Sequence, residues 1–294
     1  MTAVATRVRA DEARDLPPVN EPRKRITRFV LPVFTFAMIL YLTSPVFLMI
    51  LYGFNNIPGE RQTPKFWGFT IDWYRGLFDV PGLSSAFKNS LVIAPISATI
   101  STILGTLLGL ALGRYLFRGR GGINFVIFLA IAVPEIVLGS SLLSMFVKLY
   151  QIPGIGASVG SVLHLGFPTI LASHVGFSIA FVAVTVRARV QGLDRALEDA
   201  AQDLFATPMA AFFKVTLPLI APAILAGFLL AFVLSLDDFV ITNFVSGQTQ
   251  TFPIWVYAST RLGVPPQVNV MGTLLFTAGV VAALVNVVVQ RRRT

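Results

Sequence analysis

The chain has 294 residues, of which 55% are hydrophobic and 13% are charged, and its formal net charge is +9. Average soluble domains have about 25% charged residues. A chain this apolar cannot cover a soluble surface and needs lipid as part of its solvent. It contains no cysteine, which excludes disulfide frameworks, cysteine-based metal sites and thiol catalysis. Basic residues spread between long apolar runs favour membrane topology over nucleic-acid binding.

A polar leader precedes the first apolar run, and we expect residues 1–28 to form a disordered tail. Crossing about 30 Å of hydrocarbon takes roughly 20 residues. Six apolar runs meet this length, namely Phe29–Phe54, Leu91–Leu112, Ile123–Val147, Phe167–Val186, Leu217–Leu236 and Val270–Val289. In lipid they must be helices, because each backbone N–H and C=O has to be bonded within the segment. The predicted fold is an all-α integral membrane protein with a six-helix domain over 29–290 and a short tail over 291–294.

The distribution of Lys and Arg predicts the orientation of these spans. Both termini and the loops after the second and fourth spans together carry 17 basic residues, whereas the loops on the opposite side carry 6. The positive-inside rule therefore predicts that both termini are cytoplasmic.

Three glycines recur every four residues on the second span, at Gly105, Gly109 and Gly113. Such a stripe lets two helices approach closely. We expect it to pack within the bundle, with an interface to a second membrane subunit as the alternative.

Three acidic residues lie at membrane depth: Glu135, Asp237 and Asp238. An ionisable residue at a helix centre costs at least about 2–3 kcal/mol and is a functional candidate by default. No Lys or Arg lies inside a span to neutralise them, so a cationic substrate is one source of the counter-charge. The alternatives are a hydrogen bond between helices for Glu135 and a helix cap for the Asp pair. Since two adjacent helical positions cannot both face a pore, we expect one Asp to contact substrate and the other to be structural.

The loop from Arg187 to Thr216 has a helical pattern of Leu and Ala. Asp194 stands where a helix N-cap is expected. Pro208 stands where a second short helix begins. The loop is therefore predicted to be a helix–turn–helix outside the lipid. It is either an ordinary amphipathic surface helix or a docking element for a cytoplasmic partner.

Within this loop, Asp199-Ala200-Ala201 is followed after three residues by Phe205 and after nine more by Val215-Thr216-Leu217-Pro218. This spacing resembles the EAA loop of ABC importer permeases, which docks as a coupling helix on the ATPase subunit. Phe205 occupies the family's Gly position. If the turn needs φ > 0 there, Phe is strained by roughly 1–2 kcal/mol. Either the turn has another conformation here, or Phe205 is an extra hydrophobic contact to the ATPase. The resemblance implies ATPase coupling by Asp199, Ala200, Ala201, Leu204, Phe205, Pro208, Leu217 and Pro218.

Two further segments, 133–137 and 234–247, resemble the spermidine/putrescine branch of these permeases. The resemblance implies a type I ABC importer permease in the bacterial inner membrane that moves polyamines by alternating access. Its partners would be a second homologous permease, two ATP-binding cassette ATPase subunits and an extracytoplasmic substrate-binding protein. ATP and Mg would bind the ATPases, with no cofactor or metal in this chain.

The sequence also bears on catalysis. It contains no GxxxxGK[ST] run, so the chain is predicted to be a transport subunit that does not hydrolyse ATP itself. We predict no catalytic residues. The open alternatives are an ABC permease for ferric iron or another organic cation, a proton-coupled secondary transporter acting without an ATPase, and a structural membrane scaffold.

Overall fold

The computed structural model describes residues 24–59 and 61–291, and the first 23 and last three residues lie outside the described part. Within it, the regular elements are helices, with one isolated antiparallel bridge between Asn55 and Phe69. The predicted all-α class is confirmed. The first helix begins at Lys24, whereas residues 1–23 of the predicted tail fall outside the described residues.

The helices follow one another with short connections. In chain order they are α1 (Lys24–Gly53), α2 (Asp72–Arg75), α3 (Leu83–Arg114), α4 (Arg120–Ala132), α5 (Glu135–Tyr150), α6 (Gly156–Val162), α7 (Phe167–Gln191), α8 (Ala196–Asp203), α9 (Pro208–Ala211), a π-helical turn (Phe212–Thr216), α10 (Leu217–Asp237), α11 (Val240–Val245), α12 (Phe252–Leu262) and α13 (Gln267–Arg291).

Among the described residues, α1, α3, α7 and the continuous stretch Pro208–Asp237 are long and apolar enough to cross a membrane. The pair α4 and α5 adds a fifth crossing if it is taken as one broken span. The predicted sixth span lies inside α13, a 25-residue helix that is apolar over Gln267–Val281. The structure is thus compatible with six crossings.

The predicted third span is wrong as a single helix. Instead of one helix over Ile123–Val147, α4 and α5 meet at an angle of 111°. The break is at Val133 and Pro134, where Val133 is extended (φ −70°, ψ 131°). Proline lacks the N–H that would continue the helix and disfavours helical geometry in the residue before it. The apolar run is continuous in sequence, but the helix is not.

The chain forms two compact units. The first comprises the described residues up to Asn56 together with 65–71 and 269–291. In this unit, α1 and α13 approach closely, because a Cβ added to Gly272 would lie 2.5 Å from the sulfur of Met49. The Asn55 side chain accepts from the N–H of Trp67 (2.7 Å) and donates to the carbonyl of Lys65 (2.9 Å). These bonds fix the loop that follows α1.

The second unit comprises 57–64 and 72–268 and contains every candidate site residue. Its core lies between α3, α7 and α10. A Cβ added to Gly105 would lie 2.6 Å from that of Val182, and one added to Gly109 would lie 2.8 Å from the carbonyl oxygen of Ala183. The glycine stripe therefore brings α3 against α7, and the expectation that it packs within the bundle is confirmed.

Candidate functional site

Asp238 follows the last residue of α10 and stabilises the start of α11. One oxygen of its carboxylate accepts from the backbone N–H of Thr242 (2.7 Å) and from the Thr242 hydroxyl (2.6 Å). The other accepts from the N–H of Ile241 (3.4 Å). A helix start leaves backbone N–H groups without partners, and a carboxylate that accepts from them both caps the helix and complements its dipole.

His174 of α7 completes a buried group of side chains around this cap. Its Nε2 lies 3.2 Å from the Asp238 carboxylate and 2.8 Å from the Thr242 hydroxyl. Its Nδ1 lies 2.7 Å from the hydroxyl of Ser235 on α10, which in turn receives the Ser97 hydroxyl of α3 at 2.8 Å. We call Ser97, His174, Ser235, Asp238 and Thr242 the polar cluster. It joins α3, α7, α10 and α11 inside an apolar bundle.

Every polar side chain of the polar cluster can be satisfied at once. With a neutral ring, Nε2–H donates towards Asp238 and Thr242, and Nδ1 accepts from the Ser235 hydroxyl. Ser235 then accepts from Ser97. Because buried polar groups without partners are costly, this closure explains how an ionisable ring and a carboxylate share the interior. His174 is 1% exposed and the side chain of Asp238 is 5% exposed.

Asp237, the neighbour of Asp238, has the opposite environment. It is the last residue of α10, its side chain is exposed, and it makes no hydrogen bond or ion pair with any described residue. The two carboxylates therefore differ in availability, since Asp238 is committed to the helix junction and Asp237 is free for another partner.

Glu135 is the first residue of α5, immediately after the break at Pro134. Its side chain is exposed. The helix that it begins packs against α11, where a Cβ added to Gly139 would lie 3.2 Å from the Cα of Ile241. The helix that starts with Glu135 therefore packs against the helix capped by Asp238.

The loop after α7 forms the predicted helix–turn–helix. We call α8, the turn over 204–207 and α9 the coupling element. The Asp194 carboxylate accepts from the N–H of Ala196 (3.0 Å) at the start of α8. The Thr207 hydroxyl accepts from the N–H of Ala210 (3.2 Å), and Pro208 is the first residue of α9. Asp194, the predicted N-cap, lies one residue before the observed N-cap Arg195, and Pro208 begins the second short helix as predicted.

Glu198 attaches the coupling element to the membrane helices. Both of its oxygens accept from the guanidinium of Arg114 at the end of α3, with Nη2 2.6 Å from Oε1. The Thr216 hydroxyl also donates to Glu198. Arg195 donates to the carbonyl of Arg114 at 2.7 Å. Two parallel charge-assisted bonds hold both side chains in one geometry. The position of α8 is therefore tied to the ends of α3 and of the π-helical turn.

Phe205 stands in the turn with φ 63°, and among the described residues other than glycine it alone has a positive φ. The turn therefore keeps a positive φ at this position, and Phe205 has the left-handed backbone conformation that costs a side-chain-bearing residue roughly 1–2 kcal/mol. Its ring is 98% exposed, beside Leu204 at 82%. Two bulky apolar side chains thus project from the tip of the coupling element.

The remaining predicted coupling residues lie on α8 and at the start of α10. Asp199 and Ala200 are exposed on α8, while Ala201 is half-buried. Leu217 and Pro218 begin α10, directly after the π-helical turn. The role of Glu198 is not apparent from the sequence, since the motif points to Asp199 and the partner Arg114 lies far away in sequence. His174 is not apparent as the partner of Asp238 either, because the sequence alone does not show that α7 packs against the start of α11.

Comparison with known families covers most of the chain. Residues 105–293 match the family described as binding-protein-dependent transport system inner membrane component. The chain belongs to this family. It is therefore a permease subunit of an ABC importer, located in the inner membrane, and its role is transport rather than catalysis. Within the described residues, no group of three or more His, Asp or Glu side chains is placed to hold a metal ion.

Several curated proteins are similar to this permease over nearly their whole length. The putrescine transport system permease protein PotI of Escherichia coli K12 is 39% identical over 266 residues, which cover 90% of this chain and 89% of PotI. The spermidine/putrescine transport system permease protein PotC of the same strain is 36% identical over 262 residues, covering 89% and 94%. PotC of Haemophilus influenzae is 33% identical over 265 residues, covering 90% and 97%.

The permease also resembles solved structures in fold. A bacterial ABC transporter involved in the import of the acidic polysaccharide alginate has a chain with a TM-score of 0.64 at 16% identity, covering 95% of this permease and 100% of that chain. The alginate transporter in complex with its pentasaccharide-bound periplasmic protein gives a TM-score of 0.56 at 17% identity, covering 88% and 90%. At such identity the likeness concerns the fold, and it supports the ABC importer permease architecture.

Proposed function

We propose that this permease translocates polyamines, such as putrescine and spermidine, across the inner membrane by alternating access. It pairs with a second homologous permease and receives substrate from an extracytoplasmic binding protein. The relatives named for putrescine and spermidine transport support this substrate class. The chain's own chemistry supports it as well, since Glu135 and Asp237 are exposed acids that make no hydrogen bond or ion pair with any described residue.

The observation that carries the proposal is the difference between Asp237 and Asp238. Adjacent carboxylates repel each other, and the repulsion falls when a cation is present. The ring of His174 holds Asp238 at the helix junction, whereas Asp237 is exposed beside it. A flexible di- to tetracation suits a free carboxylate on the path. Glu135, exposed at the break between α4 and α5, is the second proposed contact on that path.

The coupling element is the proposed docking site for the ATPase subunits. Two copies of an ATPase bind the coupling elements of the two permeases and carry ATP and Mg. Leu204 and Phe205 enter an apolar socket on the ATPase, and Asp199 lies at the rim of this contact. The docking passes motion to α3 and α10 through Glu198, which contacts both Arg114 and Thr216.

Transport follows from unequal nucleotide affinity for two conformations. ATP binding closes the ATPase pair, the coupling elements move with it, and the cavity between the permeases opens outward to receive the polyamine. Hydrolysis returns the cavity to the inward-open state. A nucleotide that bound both states equally would move nothing. With the coupling element on the ATPase side, the excess of 17 basic residues over 6 supports cytoplasmic termini.

The solute is tested by uptake in bacteria that lack their own polyamine importers and express this permease with its partner subunits. We expect accumulation of radiolabelled putrescine or spermidine. Failure of both, with uptake of ferric iron or another organic cation, would reject the polyamine assignment and retain an ABC permease. Uptake in ATP-free vesicles without an ATPase would reject the ABC mechanism itself.

A further inference from the structure

An apolar groove runs along α4 on its side towards α3 and α7. Its volume is about 420 Å³. Gly122, Val126 and Ala130 form the wall on α4, Leu108 lies on α3, and Gly176 lies on α7. The α4 residues recur every four positions and therefore share one face of that helix. Every side chain that lines the groove is apolar, so the groove offers contact to a hydrocarbon and no hydrogen bond.

The glycines of the groove differ from those of the α3–α7 contact. A Cβ added to Gly122 or Gly176 would meet no atom within 4 Å. At Gly105 and Gly109 the same atom would lie within 3 Å of α7. The groove glycines therefore do not serve close helix packing. They leave open a space whose volume is in the range of a small-molecule site. A helix with its side chains is about 10–12 Å across and would be too wide for this space.

Arginines lie next to one end of the groove in the chain. Arg118 and Arg120 flank Gly119, which lines the groove at the start of α4. Arg187 of α7 reaches Asn124 of α4 at 2.6 Å. Among the described residues, none of these three arginines forms an ion pair, and Nη2 of Arg120 donates to the carbonyl of Leu112 at 2.8 Å. The Nε atoms of Arg120 and Arg187 are buried with no hydrogen-bond partner in the described part of the chain.

We propose that this groove is a binding site for an anionic phospholipid. One acyl chain lies in the groove along α4, and the phosphate and anionic headgroup lie at its basic end, against Arg118 and Arg120. Guanidinium groups suit phosphate because they present several donors in one plane. Basic pockets between membrane helices bind anionic headgroups in the same manner. The proposal depends on the fold and the membrane location and not on which solute is carried.

The groove is tested by filling it. The permease complex is purified in mild detergent, and its binding of labelled phosphatidylglycerol is measured after reconstitution in phosphatidylcholine nanodiscs. Gly176→Leu and Gly122→Leu place a side chain in open space inside the groove. Gly121→Leu is the matched control, since its Cβ also meets nothing within 4 Å and it does not line the groove. We expect binding to fall about tenfold in the two groove variants, because the leucine displaces part of the alkyl chain. Equal binding by all three variants would overturn the proposal.

The headgroup is tested separately. In the wild type, unlabelled phosphatidylglycerol should displace the labelled lipid better than phosphatidylcholine does. Arg118→Gln should reduce that preference while phosphatidylcholine still binds. Equal competition by the two lipids in the wild type contradicts the charged end of the proposal.

The occupant of the groove is tested by introducing a cysteine, because the chain has none of its own. In Val126→Cys, which is 62% exposed in the wild type, phosphatidylglycerol should slow maleimide labelling. Efficient cross-linking of this cysteine to the partner permease would instead assign the groove to a protein interface and overturn the lipid proposal.

Discussion

His174 Nε2 lies 3.2 Å from the carboxylate of Asp238, although the two residues are 64 positions apart in sequence. The pair connects α7 to the junction between α10 and α11, where the free carboxylate of Asp237 also lies. A buried ring thus determines the geometry next to the residue that we propose as a contact for substrate.

The first prediction concerns the stability of this junction. His174→Ala removes a buried ring that contacts three hydroxyl or carboxylate groups, and it leaves Asp238 without its ring partner. We expect a loss of about 3 kcal/mol, the scale for breaking a buried polar network or pair. Thermal unfolding of the purified complex measures it. His164→Ala is the control, because His164 is exposed and surface substitutions usually change stability by less than about 0.5 kcal/mol. Equal melting of both variants would contradict the role of the polar cluster.

The second prediction concerns the contact between α3 and α7. Gly109→Val inserts a side chain where even a Cβ would lie 2.8 Å from a backbone oxygen. Overpacking of this kind costs about 1–3 kcal/mol, so the melting temperature of the complex should fall. Gly279→Val is the control, because a Cβ at Gly279 meets no atom within 4 Å. A wild-type melting temperature for Gly109→Val would show that the helices are not closely packed there.

The third prediction concerns the charge on α8. Asp199→Lys reverses an exposed charge that makes no side-chain bond within the described part of the permease. We expect normal membrane insertion and loss of the ATPase on purification. The new positive charge on α8 disfavours docking because it no longer matches the ATPase surface that faces Asp199. Quantification of both subunits after affinity purification measures this. Asp72→Lys, an exposed acid outside the coupling element, is the control. Unchanged ATPase recovery with Asp199→Lys would remove Asp199 from the docking surface.

The fourth prediction separates strain from contact at Phe205. Phe205→Gly removes the ring and the backbone strain together, whereas Phe205→Ala removes the ring and keeps a Cβ at positive φ. If the ring contacts the ATPase, both variants should lose coupling, measured as transport per ATP hydrolysed, and only the glycine variant should gain up to about 1–2 kcal/mol of stability. Improved coupling in Phe205→Gly would show that the aromatic residue is merely a strained substitution.

The sequence predicted the helical membrane architecture well because long apolar runs leave the backbone no alternative in lipid. It failed at the third span, which was predicted as one helix. A proline inside a span indicates a kink, but neither hydropathy nor the proline alone indicates that two helices meet there at 111°. The EAA-like spacing located the coupling element and the turn at Phe205. It did not identify Glu198 as the attachment point, because the pairing with Arg114 depends on how α8 folds back onto α3.

The acids at membrane depth illustrate the same distinction. The sequence predicted that Asp237 and Asp238 would differ, since adjacent helical positions point in different directions. Which of the two is buried depends on where α10 ends, and a sequence pattern fixes helix ends less well than helix interiors. His174 lies at this junction because α7 packs against α10. That packing depends on contacts between residues far apart in sequence, which a local pattern does not reveal.

The central claim is ATP-driven polyamine transport through a path that uses Asp237. The most direct measurement is uptake of labelled spermidine and putrescine into proteoliposomes that contain the complete complex, with binding protein outside and ATP inside. The account predicts ATP-dependent uptake. Asp237→Asn should abolish this uptake while ATPase association is retained, and Asp79→Asn, a change at another exposed acid, should leave uptake near the wild-type rate. Equal uptake by wild type and Asp237→Asn, or uptake of polyamine without ATP, would contradict it.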